Sequence, residues 1–400
     1  MQTSPPSHPL AFVNGVIVLP DRLVQGQALY VEEGTIRALC AIDELGSDVK
    51  RVDVDGRIVA PGLVDIHHHG AEGAAFNEST KEAFATILRA NACAGVTSVL
   101  ATTATAPLSQ LVACLETAQA WMAAPDAGAN LLGVHVEGPY FALSQAGAQD
   151  PANLRIPLDG QYEQLLAFHE IIRIFTYAPE LEGAQQLTRR VTELGIVAAA
   201  GHSAAREEEI TPHFPLGLRH MIHIWSGQSS TVREGPWRKP GMLEVSLTAE
   251  NLTVEMIGDG KHLPPTLMRL AYRCIGADRL CLISDATSGA GLPNGTRFRM
   301  GEMEYVVGDG VGMLLDNTAF AGSTTLLNRI VKIVIEQVGV PLVEAVRMAS
   351  LTPARVIGVD GRKGSLEPGK DADVVVFEED FTPWRVLIGG NWYDNQHSQL

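Results

Sequence analysis

Residues 59–70 read Val-Ala-Pro-Gly-Leu-Val-Asp-Ile-His-His-His-Gly, an apolar run that ends in three histidines. Val59–His67 reads as a buried strand, and the histidines fall at its C-terminal end. Seven further runs of the same kind follow: Val96–Thr102, Leu131–Glu137, Ile171–Ala178, Ile196–His202, His220–Trp225, Leu252–Ile257 and Leu280–Ser284. Helical stretches fall between several of them, such as Thr80–Cys93, Leu108–Ala123, Gly183–Leu194 and Pro264–Cys274. Eight strand-then-helix units over roughly 250–300 residues predict an α/β fold of the (β/α)8 TIM-barrel type. A doubly wound open sheet is the competing arrangement, but no G-x-G-x-x-G follows an early strand to support it.

The chain outside this region has a different texture. Phe12–Leu19, Ala28–Val31 and Thr35–Leu39 are β-rich, with turn signals at Asn14-Gly15 and Glu33-Gly34. Asp373–Phe377 and Val386–Ile388 look alike near the other end. The two termini are therefore expected to pair into one small β-sandwich domain, residues 1–60 with 358–400, around a barrel of residues 61–357. Single cores stop growing near about 250–300 residues, so a 400-residue chain suits one large domain and a small one.

Composition excludes several classes of function. The 30 Lys+Arg against 46 Asp+Glu leave a formal charge of −16, which speaks against a nucleic-acid or anionic-membrane surface. No apolar run approaches the ~18 residues of a membrane span, and MQTSPPSHPL lacks the basic and apolar regions of a signal peptide. Five scattered cysteines (Cys40, Cys93, Cys114, Cys274, Cys281) include no C-x-x-C pair and predict a reduced, cytoplasmic, soluble protein.

In a TIM barrel, functional side chains emerge at the C-terminal strand ends. Five of the eight ends carry a metal-ligand or acid/base residue type: His67 to His69, Glu137, His202, His223 and Asp285. His67 and His69 are two apart, so both point one way and His68 points the other. A lone histidine on an apolar strand is usually a packing residue; the set at strand ends is a different matter. With Glu137, His202 and His223, the pair supplies nitrogen and carboxylate ligands suited to Zn²⁺ or Fe²⁺. His135 shares the face of Glu137 and is read as a packing residue behind it. His169, His213 and His397 lack a strand-end context and are read as surface residues. Asp285, in Ser284-Asp285-Ala286-Thr287, is a carboxylate beside the metal that takes a proton from water and returns it to a departing amine.

These residues resemble a known family. PGLVDIHHHG (residues 61–70) is similar to the first-strand signature of the amidohydrolase superfamily. HVEGPY (135–140), YAPE (177–180), AGHS (200–203), GDGKH (258–262), SDAT (284–287), AGS (321–323), LTPAR (351–355) and GSLEPGKDADVVVF (364–377) resemble, in order, the N-acetylglucosamine-6-phosphate deacetylases. The resemblance runs from about residue 12 to residue 390. It implies Glu137, His202 and His223 as main metal ligands, Asp285 as catalytic acid/base, His262 and Arg238 as phosphate contacts, and a homodimer. Some members lack the first-strand histidine pair and use one metal; retention of His67 and His69 here allows a second, bridged through Glu137.

The departures fall at substrate contacts. Where the family usually has a histidine about a dozen residues after the metal-ligating glutamate, this chain has Ala148-Gln149, and Gln149 offers the carbonyl oxygen an N–H but no positive charge. Ser226-Gly227 replaces the usual Asn-Ala pair, and the longer segment before Arg238 carries a basic cluster of Arg233, Arg238 and Lys239. The resemblance thus implies hydrolysis of N-acetylglucosamine 6-phosphate or another N-acetyl hexosamine, with a phosphorylated amino sugar as the small-molecule partner. Cyclic-amide hydrolases and deaminases of the superfamily are the alternatives. Ile171–Glu180 lacks the lysine that many of the former carbamylate, and the latter generally lack the third-strand glutamate. A non-enzymatic scaffold would tend to have lost ligands.

Overall fold

The computed structural model describes residues 9–126, 128–300, 303–315 and 320–393; His397 lies outside them. Eight parallel strands, Leu63–Asp65, Val96–Thr102, Asn130–Glu137, Ile172–Tyr177, Val197–Ala200, Leu218–Met221, Thr253–Ile257 and Leu280–Ile283, pair in sequence order. The seam between first and eighth is closed by Asp285 N–H to the His67 carbonyl (2.9 Å) and His69 N–H to the Ala286 carbonyl (2.8 Å). The barrel therefore closes through the segments that carry its chemistry.

Strand alternation sorts the side chains into two cores. Leu100, Ile174, Val197, Ala199, Ile257, Cys281 and Ile283 fill the barrel, whereas their neighbours Val99, Phe175, Ala198, Met256 and Leu282 face the helices. The helix Lys81–Cys93 is capped by Thr80 Oγ1, which accepts from the Ala83 N–H, and buries Phe84, Ile87 and Leu88 at helical spacing.

The termini form a four-stranded and a six-stranded sheet. The strand Val374–Phe377, from the end of the chain, lies between Ile58–Pro61 and Pro383–Ile388. Val374 and Val376 join the core between the two sheets, while Val375 and Phe377 pack on the barrel side. With both faces covered, the strand reads as an unbroken apolar run.

Two apolar stretches are divided between sheets, the second at its turn signal. The run Val59–His67 crosses from one sheet to another: Ile58–Pro61 pairs with the terminal strands and Leu63–Asp65 with the barrel. Phe12–Leu19 breaks at Asn14-Gly15 into strands of different sheets. Periodicity has no marker for a change of sheet in a run that is buried throughout. Gly62 is the hinge of the first case, since a Cβ there would run into the buried side chain of Thr97. Gly62→Ala is expected to lose about 1–3 kcal/mol through overpacking, read as a melting point several degrees lower; an unchanged melting point would contradict this account of the hinge.

Between Asp285 and Asp373, where the sequence pattern predicts no strand, Arg297–Met300, Met303–Val307, Val311–Leu314 and Phe320–Ser323 form an antiparallel sheet. Its last strand positions Asp285, whose carbonyl accepts the Ser323 N–H at 2.9 Å. Gly322, at φ +61°, allows this approach, because a Cβ would sit 2.7 Å from the Asp285 carbonyl oxygen.

Candidate active site

Glu137, at the end of the third barrel strand, is the hub. Its Oε1 lies 3.2 Å from His202 Nε2, 3.1 Å from His223 Nε2 and 3.5 Å from His67 Nε2. Its Oε2 lies 3.3 Å from His69 Nε2 and 2.7 Å from Gln149 Nε2. Asp285 Oδ1 faces the first-strand pair, 3.6 Å from His67 Nε2 and 3.3 Å from His69 Nε2. Glu137 is 1% exposed and the Asp285 side chain 13%, so Asp285 is the carboxylate turned toward the barrel mouth.

The tautomers of the outer pair follow from their partners. His202 Nδ1 is 2.8 Å from the Gln145 carbonyl and His223 Nδ1 is 3.1 Å from the Ser226 carbonyl. A carbonyl only accepts, so each Nδ1 carries the hydrogen and each Nε2 is left facing Glu137, where a bare nitrogen would offer its lone pair. Lone pairs facing a buried carboxylate oxygen repel it unless a proton or a cation lies among them. Ligands about 2.1 Å from a tetrahedral metal stand about 3.4 Å apart, and the nitrogen–oxygen separations here run from 3.1 to 3.6 Å. His67, Glu137 and His223 form one group with metal-ligand spacing; His67, His69 and Asp285 form another. The donor set fits a divalent metal ion.

The electrostatics agree. Burial alone would lower the His69 imidazole, but hydrogen bonds to Asp285 and Glu137, and their charges, carry it up to about 9. Burial likewise opposes the charged form of His67, yet Glu255 and Glu137 hold its pKa well above the usual value. Burial would raise Glu137 and Asp285, and the surrounding histidines hold both below the usual carboxylate range. The pocket draws in positive charge, and a metal would displace the protons that otherwise supply it.

Two of these side chains spring from unusual backbone. His202 and Asp285 are non-glycine residues at φ +45° and +47°, the left-handed region that costs about 1 kcal/mol or more. The strands end there, and the turn aims each side chain across the mouth.

His68 points away from the cluster, as its parity predicts, with Nδ1 3.0 Å from Ser284 Oγ and Nε2 3.0 Å from Asn91 Nδ2. Gln149 is buried beside Glu137, and its Oε1 accepts the Thr105 N–H at 2.7 Å. The neighbouring Ala148 packs against the cluster of Phe298, Tyr305, Val307 and Ala321. Ser226 supplies the carbonyl that orients His223, and the Gly227 carbonyl accepts the Ser203 N–H at 2.9 Å. His262 Nδ1 is 2.6 Å from Asp259 Oδ2, its ring lies against Phe320, and Asp285 adds to the charge that raises its pKa against the effect of burial.

Arg238 has no hydrogen bond or ion pair to the histidine cluster among the described residues; it lies on an exposed hairpin of Val232–Glu234 and Trp237–Lys239, where it stands opposite Arg233. Lys239 pairs with Glu208 at 3.1 Å; neither arginine has an ion pair among the described residues. His213, expected at the surface, is buried instead. The turn Thr211–Leu216 folds back so that its Nδ1 meets Thr188 Oγ1 at 2.7 Å, and burial lowers its pKa to about 4. His169 is exposed.

One buried residue at the cluster escaped the sequence reading. Glu255, inside the seventh strand, has Oε2 2.7 Å from His67 Nδ1 and Oε1 3.0 Å from His220 Nε2. The signal was there, a single carboxylate in the apolar strand Thr-Val-Glu-Met-Ile, but it is two residues short of the strand end.

Residues 58–229 and 240–393 match the Amidohydrolase family; the unmatched stretch between them carries the Arg233–Arg238 hairpin. The chain is 33% identical to an N-acetylgalactosamine-6-phosphate deacetylase of Escherichia coli O157:H7 over 90% of its length and 93% of the relative's. It is 33% identical to an N-acetylglucosamine-6-phosphate deacetylase of Vibrio furnissii over 90% of its length and 88% of that protein's. The crystal structure of N-acetylglucosamine-6-phosphate deacetylase from Pasteurella multocida superposes with a TM-score of 0.90 at 27% identity, covering 97% of this chain and 100% of that one. With most of its length matched and the metal-ligand cluster at the mouth of its barrel, the chain belongs to the amidohydrolase family.

Proposed function

We propose that the protein removes the acetyl group from an N-acetylhexosamine 6-phosphate, N-acetylglucosamine 6-phosphate first among them, giving acetate and the free amino sugar phosphate. The observation that carries this reading is the convergence of His67, His202 and His223 on Glu137, with Asp285 alongside and open to the mouth. Glu137, His202 and His223 would hold one divalent cation, zinc or ferrous iron, and His67 with His69 a second. Such an ion supplies Lewis acidity that polarises the acetyl carbonyl and makes water acidic. Asp285 takes the proton of the attacking water and delivers it to the amide nitrogen as the C–N bond breaks, so one carboxylate serves both halves of the reaction. Gln149, with one N–H on Glu137, has its second for the oxyanion.

Arg238 and His262 hold the phosphate, and Ser226, Gly227 and Ala148 border the sugar. The two relatives, named for galacto and gluco sugars, are equally similar to this chain, which keeps both epimers in the substrate range. Among the described residues no helix is long and apolar enough to cross a membrane. No disulfide links the five cysteines, in keeping with a cytoplasmic enzyme, and the family resemblance favours a homodimer.

The test is a panel of the gluco and galacto N-acetyl sugars with and without the 6-phosphate. The phosphorylated sugars should be turned over with kcat/KM about 10–100-fold higher, the scale of a charged hydrogen bond. Arg238→Ala should close most of that gap through KM. Equal rates on both classes would overturn the phosphate reading.

A further inference from the structure

Glu255 lies inside the barrel, where an ionised carboxylate costs several kcal/mol unless it is paired and fully hydrogen-bonded. Its neighbours on the strand, Val254 and Met256, face the outer core. Among the described residues its side chain hydrogen-bonds neither Glu137 nor Asp285, and its Oε2 also accepts the His223 N–H at 3.4 Å. It spans two imidazoles, His67 Nδ1 at 2.7 Å and His220 Nε2 at 3.0 Å, and His220 Nδ1 rests on Thr253 Oγ1 at 2.7 Å.

One proton arrangement satisfies this chain with a single negative charge. In it the Thr253 hydroxyl, 2.7 Å from His220 Nδ1 and 3.2 Å from the Arg219 carbonyl, turns its hydrogen to the nearer nitrogen, His220 Nε2–H donates to Glu255, and His67 Nδ1–H donates to the other carboxylate oxygen. His67 then presents a bare Nε2. That nitrogen is fully buried and has no hydrogen-bond partner, and it faces Glu137 Oε1 at 3.5 Å and Asp285 Oδ1 at 3.6 Å. His135, whose ring centroid is 4.6 Å from that of His67, cannot take its place: its Nδ1 meets the Ile66 carbonyl at 3.1 Å and its Nε2 meets Thr176 Oγ1 at 2.7 Å. Glu255 is likewise committed at both oxygens, which argues against its ligating a metal directly.

We infer that Glu255 is a positioning residue that fixes His67 as a metal ligand and thereby creates the second of two cation positions, the one shared with His69 and Asp285. The inference rests on the metal reading above. Partners that orient a ligating histidine are typically worth about 10–100-fold in metal affinity.

The test is chelator competition on the full-length protein loaded with zinc, comparing wild type, Glu255→Gln, His67→Asn and the double variant. Wild type should hold two zinc ions per chain. Glu255→Gln should keep the tighter ion and bind the weaker about 10–100-fold less well, and the double variant should be no worse than His67→Asn alone. Wild-type affinities in Glu255→Gln, one ion in wild type, or additive losses in the double variant would overturn the proposal. Nitrogen NMR of zinc-loaded ¹⁵N-histidine wild-type protein needs no Glu255 variant to fold: His67 should carry its hydrogen on Nδ1, and an Nε2–H tautomer would overturn the proposal equally. A wild-type enzyme that deacetylates at full rate after its zinc is removed would sink the metal reading instead, so the two failures are distinct.

Discussion

Asp285→Asn is expected to lower kcat by about 1,000-fold or more while the chain folds and keeps the ion held by Glu137, His202 and His223. Asparagine has the shape of aspartate, and the loop that bears it is fixed by its backbone: the Asp285 N–H donates to the His67 carbonyl and its carbonyl accepts from Ser323, both at 2.9 Å. What the substitution removes is proton capacity. The histidines around Asp285 hold its carboxyl below the usual range against the effect of burial, so it stands ionised and ready to accept a proton at neutral pH. A carboxamide can neither take the water's proton nor return it to the leaving nitrogen. General acid–base catalysis is worth about 100–10,000-fold per positioned group, and here one group is asked to act twice. Zinc content by mass spectrometry and kcat on the 6-phosphate sugar check the expectation together. Turnover within tenfold of wild type would remove Asp285 from the reaction.

Strand order and the metal-ligand cluster could be read because both rest on local patterns. An apolar run ending in His, Glu or Asp marks a barrel strand and its open end, and Glu137, His202 and His223 each follow such a run. Long-range pairing leaves no such trace. Nothing within five residues of Gly62 indicates that Pro61 and Leu63 belong to different sheets; that follows from pairing with Val374, more than 300 residues away. Glu255 and His220 looked like isolated polar residues because their partnership with His67 exists only once the barrel closes. His213 sits among prolines in a segment that reads as a surface turn, and its burial depends on Thr188 and Tyr177 across the fold. The basic cluster near Arg238 was visible as composition, whereas the hairpin that sets Arg233 opposite Arg238 was not.

Glu137→Gln should separate the two things the cluster does, binding metal and holding the fold together. In the protein as it stands, one carboxylate oxygen faces the Nε2 atoms of His202, His223 and His67. The other oxygen accepts from Gln149 at 2.7 Å. That contact fixes how a glutamine would sit, since its carbonyl oxygen must take the Gln149 N–H and its amide nitrogen must then face the histidines. An N–H donor replaces the anion among the imidazoles. The metal-free variant loses the charge that helps to hold His67 and His69 protonated and that they in turn hold ionised, so it should melt lower than metal-free wild type. Its metal-binding group is lost, and with it both cation positions that lean on Glu137. At an ion concentration 1,000-fold above Kd, binding stabilises the native state by about 4 kcal/mol, so wild type should melt markedly higher with zinc than without, and the variant should show almost no difference. Its kcat/KM should fall at least about 1,000-fold, because the Lewis acid and the group that orients it go together. A glutamine variant that gained the wild-type increment on zinc addition would mean that the histidines bind the ion without Glu137. Its role would then shrink to that of a neighbour.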